Sequence, residues 1–471
     1  MFSAISAPGP ALILLILLAV FLAAALYAVI RLIFNALTGR SMASYSQTRM
    51  QELIRHVEHI RDIGVKTNLA NMEIHISGND DIAVLGNTIN EMTRKLATIA
   101  EAASDFSIGR EIQKNFLPLD IDEYGNKLNS GYKDTKNAVF FGYYAEAGVI
   151  SGDYFDFQEF GDRYYAIIKC DVAGKGIPAA LIMIQVATMF LNYFKHWNPV
   201  SLKFHIEKAV YQINGFIEML GYKGRFAAFT LCILDTETGE LHFCNAGDNI
   251  IHILDSSEKK IKHIKLPQTP AAGVLSNDIV KSKGGYQVQT LNLNHGDILL
   301  LFTDGIEESK RRFRDPTHRE IACPGGTEEN VHENHSAGDL TEEMGSQRVY
   351  DIVNAVLNRS AYDLYKWHNG EGEQILRFDF SECGDGVEEP IMALIAIEKI
   401  FRCYYVSGNS EGDRVLIEKK VDAFLKKHFL QYQKYFSQTC EYPGNNSFIY
   451  YTHLREDEQY DDLSILGVKR K

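Results

Sequence analysis

The spacing of apolar positions changes character along the chain, and each change predicts a different kind of element. Ala11–Ile30 is an unbroken apolar run, long enough to cross a bilayer of about 30 Å as a helix. Residues 41–110 contain no Pro and follow a helical period. Met50, Leu53, Val57 and Ile60 keep a three-four spacing, and Gly64 then reads as a helix stop. After a polar break at Ser77-Gly78-Asn79-Asp80, the pairs Ile82/Leu85, Ile89/Met92, Leu96/Ile99 and Ala103/Phe106 fall in unbroken heptads. Such a stripe predicts a helix that supercoils with a partner, most simply the same helix of a second chain. The other reading is an amphipathic helix packed on its own domain.

From about residue 107 the texture becomes one of alternating strands and helices. Val139–Tyr144, Tyr164–Cys170, Ile250–Leu254 and Ile298–Phe302 read as strands, and Phe226–Leu234 with Leu241–Cys244 as a hairpin around a Thr236–Gly239 turn. Ile177–Phe194 and Leu202–Leu220 read as helices, as do Met344–Leu357 and Val415–Tyr435. Ile391–Tyr405 suits either a strand or a buried helix. Its charges at Glu398, Lys399 and Arg402 and its short length exclude a second membrane crossing. Antiparallel strands interrupted by a helix pair predict an α+β sandwich.

Charge orients the first run. No charged side chain precedes it, and Arg31, Arg40 and Arg49 follow before the first acid, Glu52. The positive-inside rule then places everything after residue 31 in the cytoplasm. A cleaved signal peptide is the competing reading, but the run lacks a basic n-region and is too long. The expectation is a single-pass protein of the cytoplasmic (inner) membrane, with membrane contact through residues 11–33, a short external segment 1–10 and no external sensor domain. Overall, 61 acids against 48 bases give a net charge of −13, which argues against a nucleic-acid partner. The seven cysteines are scattered without a C-x-x-C pair, so they read as reduced thiols rather than a zinc knuckle.

The candidate chemistry lies where apolar runs meet aspartate. Ile167–Cys170 runs into Asp171, followed by Gly174 and Gly176, and Ile298–Phe302 runs into Thr303-Asp304-Gly305. Asp461-Asp462 opens the apolar run Leu463–Val468, and Gly152-Asp153 lies upstream. Any one Asp-Gly pair is ordinary turn chemistry. Together, carboxylates at strand ends suit hard divalent cations, and two such ions about 4 Å apart clamp and activate water for phosphoester hydrolysis.

Two stretches resemble known families. Asp80-Asp81-Ile82-Ala83-Val84-Leu85-Gly86 through Asn90-Glu91-Met92 and Leu96 resemble the second half of a HAMP linker, a parallel helix–connector–helix module, over residues 41–95. The proline usual near the start of the first helix is missing. The resemblance implies a homodimer whose helix packing carries a signal onward through a coiled-coil switch helix, residues 96–118. Residues 107–471, of which 119–471 is the expected phosphatase domain, carry Ile112-Gln113-Lys114-Asn115-Phe116-Leu117-Pro118, Ser151-Gly152-Asp153-Tyr154-Phe155-Asp156-Phe157 and Asp171-Val172-Ala173-Gly174-Lys175-Gly176-Ile177-Pro178-Ala179-Ala180. Asn245-Ala246-Gly247, Phe302-Thr303-Asp304-Gly305-Ile306-Glu307 and Asp461-Asp462-Leu463-Ser464 complete that set. In this order the motifs resemble the SpoIIE-type branch of metal-dependent (PPM) protein serine/threonine phosphatases.

That resemblance implies an αββα sandwich with two Mn²⁺ or Mg²⁺ ions at one end. Asp171 would be the bridging ligand, helped by the Val172 carbonyl, with Asp153, Asp304 and Asp461 as the other carboxylates. Asp156 and Asp462 are second-tier candidates. The implied substrate is phosphoserine or phosphothreonine on a regulatory protein, of which a STAS-type anti-sigma-factor antagonist is the usual example. Two departures stand out. Lys175 occupies a place where the family often has histidine; it can attract phosphate as a point charge but cannot shuttle protons near neutral pH without a lowered pKa.

The second departure is a large insertion at about 311–455, expected to form a lid or flap. Its segment 321–347, rich in acids and free of Lys and Arg, reads as a mobile solvated loop. Just before it, Lys310, Arg311, Arg312 and Arg314 form a basic cluster that either steers an acidic partner at the site's mouth or is an ordinary solvated turn. The alternative to an enzyme is a signalling scaffold with a catalytically weak or inactive phosphatase domain. A kinase lacks its Gly-rich loop and D-F-G motif, and a nucleotide cyclase would not place its acids in these motifs.

Overall fold

The computed structural model describes residues 22–23, 26–27, 29–30, 48–56, 74–75, 80–148, 150–199, 204–221, 224–315, 319–323, 338–368, 372–405, 415–436, 447–451 and 454–471. The chain divides into two compact units, Met1–Arg110 and Glu111–Lys471.

In the first unit, most of the apolar run 11–33 lies outside the described residues. The described positions within it are helical, and Leu22, Leu26, Val29 and Ile30 are exposed. Residues 48–56 are helical, and helix α1 (Asp81–Lys114) follows. Arg49 grips Asp80 through two parallel bonds of 2.6 and 2.9 Å, while Asp80 accepts the Ala83 N–H at 3.1 Å and so caps α1. The Asn90 amide pairs with both backbone groups of Ile74, at 2.9 and 2.8 Å. These bonds hold a connector residue and the earlier helix against α1. The face of α1 that is buried carries Ala83, Gly86, Asn90 and Thr93, whereas Ile82, Leu85 and Ile89 of the heptad stripe are only half-buried. One helix thus runs through the boundary at 95/96 and ends before Pro118, which disfavours helical backbone at Leu117.

The second unit contains strands β1 (Ser130–Asp134), β2 (Ala138–Ala145), β3 (Tyr154–Phe160) and β4 (Tyr164–Val172), then helices α2 (Ile177–Lys195) and α3 (Glu207–Leu220). Next come β5 (Ala227–Asp235), β6 (Glu240–Ala246), β7 (Ile250–Asp255), β8 (Lys260–Lys265), α4 (Asn277–Ser282), β9 (Gln289–Asn292) and β10 (Ile298–Phe302). β11 (Lys310–Arg312), β12 (Thr341–Glu343), α5 (Gly345–Leu357), β13 (Ala361–His368), β14 (Gly372–Asp379), α6 (Glu388–Arg402) and β15 (Cys403–Tyr405) follow. The order closes with β16 (Val415–Glu418), α7 (Lys419–His428), α8 (Tyr432–Tyr435), β17 (Phe448–Tyr451), β18 (Leu454–Glu456) and β19 (Leu463–Arg470).

Two antiparallel sheets form the centre, ordered β1-β2-β19-β10-β7-β8 and β3-β4-β5-β6-β9. Helices α2 and α3 cover the second sheet, and α5 and α6 cover the first. The fold is therefore an α+β sandwich in four layers. Strand β10 shows why its sequence is apolar at every position. Leu299 and Leu301 point between the sheets, while Ile298, Leu300 and Phe302 point into the layer under α5 and α6. At Gly467 of β19, a Cβ would come within 2.8 Å of Ile391 and Val387, so glycine lets α6 lie directly on the strand. Among the described residues, α2 is the helix long and apolar enough to cross a membrane, but its Ile182, Met183, Val186 and Phe190 are buried in the core.

Three sequence expectations change here. Val415–Glu418 is a strand paired with β17, so the helix read over Val415–Tyr435 begins only at Lys419. Acids of the expected solvated loop are structural: Glu342 is fully buried on β12, which pairs with β11, while residues 324–337 lie outside the described residues. The basic cluster is consumed by ion pairs. Arg311 binds Glu342 at 2.6 Å, Lys310 pairs with Glu343 at 3.0 Å, Arg312 with Glu320 at 2.6 Å, and Arg314 with Asp457.

Candidate active site

Strand register assembles the acids. Tyr154 pairs with Cys170, which carries Asp153 to Asp171 at the open ends of β3 and β4. Phe302 pairs with Ile465, and the Thr303 N–H continues the ladder to the Ser464 carbonyl at 3.0 Å. Asp304 and Asp461 therefore emerge together from neighbouring strands of the other sheet. Leu463 pairs with Ala145, so Asp462 meets the loop leading to Asp153. Both its oxygens accept backbone N–H groups there, from Ala147 at 2.9 Å and Gly152 at 3.0 Å.

Electrostatics trace the same cluster. Burial first, then the charges of Asp171 and Asp462, holds the Asp153 carboxyl well above its usual range. Burial and the charges of Asp304, Asp461 and Asp462 raise Asp171, partly offset by Lys169. Burial and Asp461 raise Asp304. Like charges brought this close are costly unless cations join them, and the donor set is entirely oxygen, as hard divalent ions prefer. The residues present thus fit the divalent ions that the fold implies.

Glycine makes the close approach possible. A Cβ at Gly305 would lie 1.9 Å from the Asp462 carbonyl, and one at Gly152 would lie 2.8 Å from the Val172 carbonyl. Val172 therefore presents its carbonyl beside the Asp153 loop. Gly176 caps α2 at φ 76°, with Pro178 in the first turn.

The other candidates fall on either side of the cluster. Lys175 is at the rim. Its Nζ lies 3.4 Å from Asp461, donates to the Tyr460 carbonyl, and sits 4.7 Å from the centre of the Tyr460 ring. Lys310 covers the same ring at 3.5 Å. Asp156, a second-tier candidate, has partners of its own. It accepts bonds from the Tyr154 hydroxyl at 3.0 Å and the Phe157 N–H at 2.8 Å, and its neighbouring cation is Lys127.

Sequence reasoning gave no role to the groups that hold the acids. Buried Thr303 donates its hydroxyl to Asp153 at 2.7 Å and accepts the Ser464 N–H at 3.1 Å. Ser151 accepts the Asp153 N–H at 2.9 Å, and its own backbone is gripped on both sides by the Gln113 amide. Lys169 is buried, 2.8 Å from Asp248, and donates to the Phe302 carbonyl at 3.1 Å, which joins the two sheets behind the site. Thr303 and Gln113 lie inside the quoted motifs, but hydroxyl and amide side chains carry no signature of the partners they will meet.

An α+β sandwich of two antiparallel sheets, with carboxylates gathered at one end, is the architecture to set beside phosphatase domains. Residues 161–347 match the model of the family described as Stage II sporulation protein E (SpoIIE). The matched segment contains Asp171 and Asp304. Protein IcfG of Synechocystis sp. (strain ATCC 27184 / PCC 6803 / Kazusa) is 29% identical over 273 residues, covering 50% of this chain and 39% of IcfG. The chain spans about two fifths of that relative's length. Among solved structures it is similar to the SiaA-PP2C domain of Pseudomonas aeruginosa, with 15% identity, TM-score 0.43, 80% of this chain and 99% of that one. It is also similar to the PP2C phosphatase domain and regulatory-domain fragment of SpoIIE from Bacillus subtilis, with 13% identity, TM-score 0.39, 72% of this chain and 64% of that one.

Proposed function

We propose that the protein is a membrane-tethered, metal-dependent phosphatase that hydrolyses phosphoserine or phosphothreonine on a regulatory protein, a STAS-type antagonist being the substrate class that the resemblance suggests. The observation that carries this reading is the convergence of Asp153, Asp171, Asp304 and Asp461 from both sheets on one end of the sandwich. These carboxylates, with the Val172 carbonyl, would hold two Mn²⁺ or Mg²⁺ ions. When bound, such ions supply Lewis acidity and a water activated for attack on phosphorus. The chain's own residues do the rest. Thr303 and Ser151 fix Asp153, Asp462 braces its loop, and Lys175 presents a positive charge at the rim where a phosphate would arrive.

Hydrolysis of p-nitrophenyl phosphate and of a phosphoserine peptide, with Mn²⁺ titrated in, tests this. Turnover should rise with metal and vanish in Asp304→Asn. Silence of the intact chain at every metal concentration would leave the partner-binding scaffold as the better account.

The tether rests on the apolar run before residue 33 and on the exposed Leu22, Leu26, Val29 and Ile30 along its helical residues. The full chain should sediment with membranes through an alkaline wash, and residues 40–471 should not. A full chain found in the supernatant would refute the tether. Dimerisation through the half-buried heptad stripe of α1 would make that helix the route of regulation.

A further inference from the structure

The accessory layer over the six-stranded sheet holds a second cluster of ligand atoms, unrelated to the carboxylate end. Cys383 lies in the turn after β14, Glu389 in the first turn of α6, and His428 at the last position of α7. One ligand atom from each lies within 4.8 Å of the other two. Cys383 and His428 are buried and Glu389 is half-buried.

The tautomer is set by geometry. His428 Nδ1 lies 2.8 Å from the Asp379 carbonyl, which can only accept, so Nδ1 carries the proton and Nε2 offers its lone pair. That is the orienting bond commonly found behind a metal-bound histidine. Nε2 points at Cys383 Sγ, 3.8 Å away. From ordinary zinc–sulfur and zinc–nitrogen bond lengths, a tetrahedral edge between the two is about 3.6 Å. The ring is held against Phe424 and Phe380, with centroids 4.5 and 5.7 Å away, so it cannot readily swing out.

We propose that Cys383, Glu389 and His428 form a zinc site that pins the turn after β14 to the ends of α6 and α7. Thiolate and imidazole favour zinc over the Mg²⁺ and Mn²⁺ that suit an all-oxygen set. A thiolate and a carboxylate balance the charge of the ion, so a neutral centre is buried. Water completes the tetrahedron on the half-exposed side of Glu389. A bound cation would hold the Cys383 sulfur as the thiolate. The role is structural. The site joins three segments of the core between the six-stranded sheet and its helices, and no residue of the carboxylate end takes part.

Metal analysis of the full chain, purified without chelator, tests the assignment. Zinc should be present at about one per chain, as a single site requires. It should persist in Asp171→Asn and fall at least tenfold in both Cys383→Ser and His428→Gln. Wild-type protein produced with cobalt in place of zinc should show a thiolate-to-cobalt charge-transfer band, a readout that does not depend on any variant folding. Zinc retained in both variants would overturn the site. So would wild-type protein with neither zinc nor the band, and the pair would then be a buried thiol donating to imidazole.

Discussion

Thr303 shows how much of the proposed metal site rests on a side chain that is not itself among the candidate ligands. Its hydroxyl spans Asp153 and the Ser464 N–H, so it fixes a carboxylate on one sheet from the end of a strand on the other. Removing such a support commonly costs about 10–100-fold in metal affinity or activity. Thr303→Val, nearly isosteric, should raise the Mn²⁺ concentration needed for half-maximal turnover by that factor with the fold intact. An unchanged metal titration would show that Asp153 needs no support.

His252 gives a pH dependence outside the site. Burial, then the charges of Lys169 and His263, depresses its imidazole to about 3, and it stacks on Phe302 at 4.5 Å. The unfolded chain protonates this group near pH 6.5 while the native one does not, so its contribution is full above 6.5 and is lost progressively as pH falls toward 3. That loss is about 1.4 kcal/mol per pH unit within the window. Urea unfolding at pH 6.5 and 4.5 should show a smaller drop for His252→Gln than for the wild type, and equal drops would rule the histidine out. At this scale the acids drew attention in the sequence because they lie at strand ends, three of the four beside glycine or a second acid and Asp171 three residues before Gly174. Asp156 shares the motif, yet its observed partners on β3 are the Tyr154 hydroxyl and the Phe157 N–H.

Among elements, α1 carries the regulatory argument. Its last turn holds Gln113, whose amide grips the backbone of Ser151, and Ser151 in turn accepts the Asp153 N–H. A shift of that turn therefore reaches a carboxylate through two residues. Inserting residues near Ala100 turns the two ends of the helix against each other by about 100° per residue. Phosphatase activity should change in a way that depends on the number inserted, although no candidate metal ligand is altered. Turnover indifferent to every insertion would remove the helix from regulation.

The elements themselves were legible where both faces are buried or where period is strong, as in β10 and α2. Val415–Glu418 was not, because pairing with β17, about thirty residues on, decides its conformation and local spacing does not. Glu342 was misjudged for a related reason. An acid beside many acids looks solvated until Arg311 and Arg348 arrive from either side of it.

For the whole molecule, strand order has a consequence in time. Strand β19 lies between β2 and β10, yet roughly 320 residues separate Ala145 from Leu463. At about 5–20 residues per second, the ribosome needs on the order of 15–60 s to cover that distance. Through that interval β2 and β10 have no neighbour between them, and two of the acids, Asp461 and Asp462, do not exist. The nascent chain can close the β3-β4-β5-β6-β9 sheet early, but the first sheet must wait with two unpaired edges that are open to wrong partners. The carboxylate cluster can assemble only once β19 has emerged, because Asp461 and Asp462 directly precede that strand.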